Sequence, residues 1–344
     1  MADIPAEMQA VMLERQIDDP VKSIESLKVV KKPVPKPGPG QVLVKIEAAP
    51  CNPSDLMYMR GLYRIDKKPP TVPGFEGCGT VVASGGGLMA NFLKGKRVAC
   101  GGQDDADGTW AEYFIANAGF CLPLAKSLSF EQGATMIANP VTAYVLLDMA
   151  RSGGHRAAIH TAGASQVGRM MIRLAARENY PLINLVRRDE LIPDLKSLGA
   201  KVVLNMTSPD FDAQLQKHCD ELGASIVFEA VAGSLTRKLM NAMPAKSRVV
   251  VYGALSVDTS TPIDPRDLIF KQHTLEGFWL TPWFESKSML AKMSTVRAVQ
   301  KRIEDGTFAT QVRARLKLAD VKRGLLDYQQ HMSDGKVLVC PSLQ

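Results

Sequence analysis

The pattern of apolar and polar residues changes character near residue 129. Before this point, short apolar runs are separated by turns rich in proline and glycine, as at Pro33 to Gly40. The run that follows, Gln41 to Ala48, alternates partially between apolar and polar side chains. Such runs are typical of strands joined by irregular loops. We therefore predict a strand-rich first domain that begins with a strand at Met8 to Leu13.

From Ser129 the periodicity becomes helical, and from Arg156 short apolar runs alternate with helix-like segments. Alternation of strands and helices predicts a parallel sheet with helices on both faces. A chain of 344 residues also exceeds the size of one economical core, so two domains are expected. The predicted strands are Ala157 to His160, Leu182 to Val186, Val202 to Leu204, Ile226 to Ala230, Val249 to Tyr252 and Lys336 to Cys340, and the predicted helices include Val167 to Arg177, Ile192 to Leu198 and Ala319 to His331.

Composition limits the class of protein. The hydrophobic share of 46% and the charged share of 22% are close to those of ordinary globular proteins. The most apolar stretch, Ala134 to Ala150, is interrupted by Asn139-Pro140 and contains Asp148, so no run reaches the roughly 20 apolar residues of a membrane span. We expect a soluble protein that does not act at a membrane.

Charge and cysteine usage narrow the partners and the compartment. The net charge is +7, but basic and acidic residues interleave, so a nucleic-acid partner is not expected and an anionic small ligand remains possible. Asp3 and Glu7 argue against a targeting segment. The 6 cysteines are scattered without a C-x-x-C pair, which favours free thiols in the cytoplasm.

A glycine-containing turn between a predicted strand and a predicted helix is the clearest chemical motif. In a dinucleotide fingerprint the first glycine makes the turn, the second admits the pyrophosphate and the third lets the helix pack on the strand. Gly163 and Gly168 take the first and third places, and Ser165 takes the second. The alternatives are a plain strand-to-helix turn and a hydrolase nucleophile elbow, which needs a glycine where Val167 stands.

The residues that follow the predicted strand Leu182 to Val186 indicate which cofactor is bound. Enzymes that use NAD place a carboxylate there, about 20 residues beyond the loop, for the ribose 2′-hydroxyl. Here Arg187 and Arg188 follow the strand, and guanidinium groups attract a 2′-phosphate. NADPH is therefore preferred to NADH, although Asp189 and the possibility of ordinary surface arginines leave the alternative open.

Several strings of residues identify a resemblance. The chain resembles the medium-chain dehydrogenase/reductase superfamily, and within it the zinc-free quinone oxidoreductases and trans-2-enoyl thioester reductases. The resemblance implies an α/β protein with a GroES-like β-rich catalytic domain (residues 1–126 and 303–344) and a Rossmann NADP-binding domain (residues 127–302). The strings that carry it are Ala49 to Asp55, Arg60 to Tyr63, Pro73 to Gly77, Gly108 to Trp110, Asn139 to Tyr144, Leu195 to Ala200, Leu268 to Lys271 and Gly277 to Trp283.

The resemblance also bears on metal binding. Zinc-containing members of the superfamily have cysteine where Asn52 stands and histidine where Phe75 stands, and a catalytic zinc needs three protein ligands. The four closely spaced cysteines of a structural zinc lobe are missing as well. His160, His218 and His273 show no ligand spacing, so core or surface roles are expected for them. No metal is expected.

Site residues follow from the resemblance position by position. It implies that Tyr63 supplies a proton, that Asn52 orients the nicotinamide or the substrate carbonyl, and that Trp283 with Phe278 lines the pocket. The residues expected to bind the cofactor are Thr142, Gly163, Ala164, Ser165, Gln166, Val167, Gly168, Arg187, Arg188, Tyr252, Gly253, Phe278, Trp279 and Lys336.

The function expected is reduction of an activated C=C bond in an enoyl thioester, a quinone or an enone, by hydride transfer from NADPH followed by protonation. Thr161 and Ala164 stand where enoyl reductases usually have asparagines, which leaves the substrate open. The alternatives are a quinone oxidoreductase without a dedicated proton donor and a non-catalytic dinucleotide-binding protein. The apolar segment Leu275 to Trp283 is interpreted as an edge strand that pairs two subunits of a homodimer.

Overall fold

The computed structural model describes residues 4–63, 65–102, 106–256 and 260–343. The chain divides into two compact units. Unit 1 consists of Met1–Ala138 and Ala309–Gln344, and unit 2 consists of Asn139–Phe308. The divisions lie after residues 138 and 308, where the sequence placed them after residues 126 and 302.

Strands make up most of the regular structure of unit 1 and the centre of unit 2. In chain order they are β1 (Glu7–Leu13), β2 (Leu27–Pro33), β3 (Gln41–Pro50), β4 (Glu76–Ser84), β5 (Arg97–Gly101), β6 (Tyr113–Asn117), β7 (Leu122–Pro123), β8 (Ala157–His160), β9 (Leu182–Val186), β10 (Val202–Asn205), β11 (Ala224–Glu229), β12 (Arg248–Val251), β13 (Thr274–Gly277), β14 (Val312–Leu316) and β15 (Lys336–Val339).

The helices of 12 residues or more lie in unit 2, and those of unit 1 have at most 10 residues. In chain order they are α1 (Pro20–Glu25), α2 (Pro53–Met59), α3 (Leu88–Leu93), α4 (Phe130–Ala134), α5 (Ala138–Ser152), α6 (Gln166–Arg177), α7 (Ile192–Ser197), α8 (Phe211–Leu222), α9 (Ser234–Ala242), α10 (Pro265–Ile269), α11 (Leu280–Glu285), α12 (Met289–Glu304) and α13 (Val321–Gln330).

Unit 1 is built on a mixed sheet to which both parts of its chain contribute. The strand order is β14-β15-β3-β4-β5-β7, β6 pairs with the early part of β3, and β1 and β2 form a separate antiparallel pair. β15 runs antiparallel to β3, with Leu338 opposite Pro50 and Val339 opposite Ala49. Residues near 337 are therefore a structural part of the first domain, as the resemblance implied.

Contacts of the segments next to the two boundaries explain which unit each segment belongs to. α4 packs on β3, β4 and β5, and an added Cβ at Gly133 would lie 2.5 Å from the Cys78 sulfur, so the helix sits directly on the sheet. Residues 127–138 therefore belong to unit 1. At the other boundary, Phe308 is buried, and the Arg177 guanidinium at the end of α6 donates to Asp305 Oδ2 at 2.6 Å, which ties this segment to unit 2.

Unit 2 is a parallel sheet in the order β10-β9-β8-β11-β12-β13. The chain moves outward from β8 through β9 to β10, then returns to place β11 on the other side of β8. This reversal is the topological switch point of a doubly wound sheet, where ligands bind beyond the carboxyl ends of the strands. The expectation of a GroES-like domain and a Rossmann domain is confirmed.

The strands of unit 2 follow the predicted apolar runs because both faces of the sheet are covered. Ile159, Val227 and Val249 are fully buried on one face of the sheet, and Ala158, Phe228 and Val250 are buried on the other. Continuous apolar runs are what a parallel sheet between two helical layers requires. β8 and β9 accordingly have the bounds that the sequence predicted.

The interpretation of Leu275 to Trp283 as one strand was wrong in its extent. β13 ends at Gly277, and α11 begins at Leu280. Pro282 has no backbone N–H for a strand ladder but is compatible with the first turn of a helix, which explains the change. β13 is nevertheless the last strand at one edge of the sheet, as the sequence suggested.

Within the described ranges, no helix combines the length with the apolar character needed to cross a bilayer.

Candidate functional site

The turn after β8 is held in shape by its own backbone. Gly163 N–H donates to the Leu185 carbonyl at the end of β9 (2.9 Å), and Ser165 N–H donates to the Ala162 carbonyl (2.9 Å). The Ser165 hydroxyl accepts from Gly168 N–H (3.1 Å) and so caps the N-terminus of α6. The loop is therefore fixed both to the neighbouring strand and to the helix that follows it.

Glycine is required at one position of this loop by close contact with the backbone. A Cβ at Gly168 would lie 2.4 Å from the Gly163 carbonyl oxygen and 2.5 Å from that of Ala162. The fingerprint predicted that this glycine lets the helix pack on the strand. Its nearest neighbours are instead the carbonyls of the loop itself, so it allows the helix to start tightly against the turn.

The start of α6 has free hydrogen-bond donors. Among the described residues, the N–H groups of Gln166 and Val167 have no recorded acceptor. Free N–H groups and the positive end of a helix form a binding site for phosphate. The loop therefore fits the pyrophosphate of a dinucleotide.

Arg169 is a residue of this region that the sequence analysis missed. Its Nε donates to the Ala164 carbonyl (3.1 Å), and its Nη1 forms an ion pair with Asp194 Oδ2 (2.5 Å). The side chain is 11% exposed, so a guanidinium lies fixed beside the phosphate loop. No position of the glycine fingerprint points to this arginine, which is why spacing alone gave no signal for it.

The two arginines predicted to select the cofactor follow β9. Arg187 and Arg188 are exposed, and Arg187 has no recorded ion-pair partner in the described part of the chain. Asp189, the residue that favoured NADH, accepts a hydrogen bond from Asn205 Nδ2 (3.0 Å) at the end of β10. The carboxylate is thus already bound to a neighbouring strand.

Polar side chains also meet at the carboxyl ends of β8, β11 and β12. His160 shares a 2.6 Å hydrogen bond between its Nε2 and the hydroxyl of Tyr252, and burial lowers the pKa of His160 to about 3. Thr161 Oγ1 donates to Glu229 Oε1 (2.8 Å). Burial and the nearby Glu229 raise the pKa of Tyr252. A neutral imidazole therefore supports the phenol that was predicted to contact the cofactor.

The other predicted residues of unit 2 lie in separate elements. Thr142 is buried in α5, and Gly253 follows β12. Phe278 and Trp283 pack together, with ring centroids 6.4 Å apart, while Trp279 is 45% exposed. The structure brings Phe278 and Trp283 into contact with each other, and their assignment to a substrate pocket stays a prediction.

The predicted residues of unit 1 centre on a buried amide. Asn52, which immediately precedes α2, is 3% exposed and donates from Nδ2 to Glu76 Oε1 (2.7 Å). Its Oδ1 accepts from the ammonium of Lys336, which also donates to the Cys51 carbonyl (3.3 Å). An amide nitrogen has two hydrogens. The second one has no recorded acceptor among the described residues.

Two buried carboxyl groups surround this amide. Asp55 accepts from the backbone N–H groups of Asn52 (2.7 Å) and Phe75 (3.0 Å). Burial raises the pKa of Asp55 to about 7, and it also raises the pKa of Glu76. The second oxygen of Glu76 accepts from Ala138 N–H (2.9 Å) at the start of α5. Both carboxyl groups thus fix the backbone around Asn52.

Tyr63 lies beside the segment that binds Asn52. The tyrosine is half-buried, and its ring centroid is 5.3 Å from that of Phe75. Phe75 directly precedes Glu76, so unit 1 brings Tyr63 and Asn52 to the same region. Lys336, which was assigned to cofactor binding, is buried beneath Asn52, and this assignment stays a prediction.

Comparisons with known proteins agree with this architecture. The model of the alcohol dehydrogenase GroES-like domain matches residues 38–126, and that of the zinc-binding dehydrogenase family matches residues 166–295. Mouse prostaglandin reductase-3 is 31% identical over 73% of this chain and 67% of its own length. The mitochondrial enoyl-[acyl-carrier-protein] reductase of Caenorhabditis elegans is 30% identical over 73% of this chain and 72% of its own length. The chain belongs to the medium-chain dehydrogenase/reductase family. The chain is an NAD(P)H-dependent oxidoreductase, as predicted.

A solved structure extends the similarity over nearly the whole medium-chain dehydrogenase/reductase fold. A crystal structure from Mesorhizobium loti, named as an NADPH:quinone reductase, is 38% identical to this chain and has a TM-score of 0.91. The alignment covers 98% of this chain and 100% of that one. Both units therefore have the fold of this family member.

One matched family model is described as a zinc-binding dehydrogenase, so the positions that bind zinc in such proteins were of interest in this chain. The Asn52 oxygen faces the Lys336 ammonium, and the Phe75 ring packs between Tyr58 and Tyr63. Neither position offers a ligand, and a fixed positive charge disfavours a second cation. No group of three or more His, Cys, Asp or Glu side chains suited to a metal occurs within the described ranges. The residues do not fit zinc, and zinc independence stays a prediction that metal analysis of the purified protein tests.

Proposed function

We propose that this protein is an NADPH-dependent reductase that adds a hydride and a proton across an activated carbon–carbon double bond. The observation that carries the proposal lies in unit 1. There a buried Asn52 amide keeps one N–H available, and the Tyr63 phenol lies half-buried in the same region. The free donors of Gln166 and Val167 support a phosphorylated dinucleotide as the cofactor.

The residues of unit 1 suit an α,β-unsaturated thioester. Bound NADPH supplies a hydride to the β-carbon of the acceptor. The electrons of the double bond then move to the carbonyl oxygen, and the Asn52 amide donates a hydrogen bond to this enolate oxygen. The α-carbon takes a proton from the Tyr63 hydroxyl, which acts as a general acid, and the phenolate regains a proton from water.

A quinone is the second candidate acceptor. The Mesorhizobium loti structure is named as an NADPH:quinone reductase, and this name favours the quinone. Both oxygens of a reduced quinone can take protons from water, so this reaction needs no dedicated donor. Tyr63 therefore favours the thioester, and the two acceptors differ in their dependence on it.

The acceptor is tested by steady-state oxidation of NADPH with crotonyl-CoA, a 1,4-quinone and a simple enone. Tyr63→Phe should lower kcat for crotonyl-CoA by about 100-fold to 10,000-fold, because the proton donor is lost, and should change the quinone rate little. Tyr58→Phe is the control, since it removes a nearby hydroxyl that donates to the Lys67 carbonyl. An unchanged thioester rate would refute the role of Tyr63, and no oxidation with any acceptor would leave a non-catalytic dinucleotide-binding protein.

The preference for NADPH over NADH is proposed from the end of β9. Arg187 is exposed and unpaired in the described residues, while Asp189 is bound to Asn205. Replacing Arg187 and Arg188 by alanine should raise KM for NADPH by about tenfold or more and leave KM for NADH nearly unchanged. Joint replacement of Lys322 and Arg323, both exposed on α13, by alanine controls for the loss of two positive charges. Equal changes for both cofactors would make the pair ordinary surface residues.

A homodimer is proposed from the free edge of the unit 2 sheet. β13 is the outermost strand, and exposed apolar side chains precede it in the chain, including Ile269 (64%) and Phe270 (77%). Large exposed apolar areas are typical of protein interfaces. Light scattering should give twice the mass of one chain, and Phe270→Glu should shift the mass toward the monomer. A monomeric wild-type protein would end this proposal.

We also propose that the protein works in the cytoplasm. All 6 cysteines are free and buried, which suits a reducing compartment. Imaging of a fluorescent fusion tests the location, and an organellar signal would contradict it.

A further inference from the structure

The first residue of β15 brings a charge into the interior of unit 1. Lys336 is 2% exposed, and it reaches the end of β3 because β15 lies beside that strand. Cys51 N–H donates to the Val337 carbonyl (3.0 Å), which holds the two segments in register. The ammonium therefore arrives at Asn52 from a part of the chain 284 residues away.

A buried ammonium is costly unless charged groups and hydrogen bonds compensate for it. Burial lowers the pKa of Lys336, and the nearby Glu76, Cys51 and Asp55 raise it in part. An apolar side chain of similar length would avoid the desolvation cost. Stability alone therefore does not account for a lysine at this position. The groups that the ammonium contacts indicate a functional role instead.

The contact of the Lys336 ammonium with Asn52 determines which end of the Asn52 side-chain amide, oxygen or nitrogen, faces the lysine. An ammonium can only donate hydrogen bonds, and an ionised carboxylate can only accept them. Lys336 therefore requires the Asn52 oxygen on its side, and Glu76, whose other oxygen already accepts from backbone N–H groups, requires the nitrogen on the other. Rotation of the amide by half a turn would place NH₂ against the ammonium and oxygen against the carboxylate, so only one orientation is favourable.

We infer that Lys336 is a positioning residue for the reduction: together with Glu76 it fixes the Asn52 amide so that its second N–H is held ready for the substrate oxygen. The ammonium also polarises the amide through Oδ1, which strengthens the N–H as a donor. This inference rests on the proposed function, since it assigns the source of the orientation that the proposed role of Asn52 requires.

The mutational test is a double-mutant cycle between Lys336→Met and Asn52→Ala, measured as kcat with crotonyl-CoA. In the wild-type background, Lys336→Met should lower kcat about 100-fold, because a misplaced donor no longer meets the enolate oxygen. In the Asn52→Ala background the same change should alter kcat by no more than about twofold. An equal loss in both backgrounds would overturn the inference, because a merely structural lysine acts independently of the amide.

Three further variants keep the test interpretable. Lys336→Arg retains a group that only donates and should recover kcat to within about tenfold of the wild type. Lys336→Gln can donate and accept, so it should lose activity, and it replaces Lys336→Met in the cycle if that variant does not fold. Lys322→Met, on the exposed side of α13, is the control for removing one positive charge. Failure of Lys336→Arg to restore more activity than Lys336→Gln would count against the inference.

Two readouts separate this inference from its alternatives. Titration of NADPH should give the same Kd for wild type and Lys336→Met, and a higher Kd with unchanged kcat would mean that Lys336 serves the cofactor instead. Crystal structures of the two proteins should show that the Asn52 amide leaves its wild-type position when the ammonium no longer donates to Oδ1, because Glu76 alone then holds the amide through Nδ2. An amide that keeps its position overturns the inference whatever the activity, whereas an inactive wild type whose amide moves in the variant overturns only the proposed function.

Discussion

Substitution of Gly168 tests whether the turn after β8 has the close backbone contacts that phosphate binding requires. An added Cβ would lie 2.4 Å from the Gly163 carbonyl oxygen, and real Cβ atoms essentially never come closer than 3.0 Å. The atoms must therefore separate by at least 0.6 Å, and both neighbours are backbone, so no side chain can rotate away. Relief of such overpacking costs about 1–3 kcal/mol.

Gly168→Ala should therefore weaken both folding and cofactor binding. If the loop opens to accept the methyl group, the free N–H groups at the start of α6 no longer converge on the phosphates. A cost of about 1–3 kcal/mol taken from binding corresponds to a rise in Kd for NADPH of roughly 5-fold to 150-fold. Calorimetric titration with NADPH gives the Kd, and urea unfolding gives the loss of stability.

Gly163→Ala is the matched comparison within the same loop. Its added Cβ would meet the Asn184 Cβ and the Leu185 oxygen at 3.2 Å and the Leu195 Cδ1 at 3.3 Å, contacts that a shift of a few tenths of an ångström relieves. The expected loss is below about 1 kcal/mol. The reasoning fails if Gly168→Ala binds NADPH as tightly as the wild type, or if Gly163→Ala is the more damaging change.

Two other predictions concern the same region. In the unfolded chain His160 takes up a proton at its ordinary pKa of 6.5, whereas burial lowers its pKa in the folded protein to about 3. The contribution of the neutral imidazole to stability is therefore fully present above pH 6.5 and is lost as the pH falls toward 3. Between pH 8 and pH 5 the free energy of unfolding should fall by about 2 kcal/mol because of His160. Urea unfolding should show that His160→Gln lacks this fall, whereas the control His218→Gln, at a partly exposed position, keeps it. Equal changes with pH in wild type and His160→Gln would contradict the burial of a neutral His160. Ser165→Ala removes the hydroxyl that accepts from Gly168 N–H at the start of α6 and should lower the free energy of unfolding by about 1 kcal/mol. Its Kd for NADPH should rise less than that of Gly168→Ala. A larger rise would show that the hydroxyl itself binds phosphate.

Local sequence signals predicted unit 2 well because its strands are buried on both faces. β8 and β9 are continuous apolar runs, and the turn between β8 and α6 carries its own glycine spacing, so neither depends on distant residues. The segment after β13 was harder, since an apolar run with a proline in it suits either a short strand or the first turn of a helix. Its apolar composition did not distinguish the two.

The interior of the unit 1 site was beyond the reach of local signals. Asn52 and Tyr63 were identified through a resemblance, but the partners of Asn52 come from β4 and β15, and nothing about Lys336 in its own segment marks it as buried. His160 was expected in the core or at the surface, and only the parallel sheet shows that it meets Tyr252. Contacts between distant segments follow from topology, which the sequence gives only in outline.

The discontinuous chain of unit 1 has a consequence for synthesis on the ribosome. Unit 2 is contiguous and can fold as soon as its last residues emerge, because domains generally fold as units during translation. Unit 1 must wait for β14 and β15 before its sheet is complete. The nascent protein therefore passes through a stage with a finished dinucleotide-binding half and an incomplete sheet beside Asn52, so it could bind a nicotinamide cofactor before it could reduce anything.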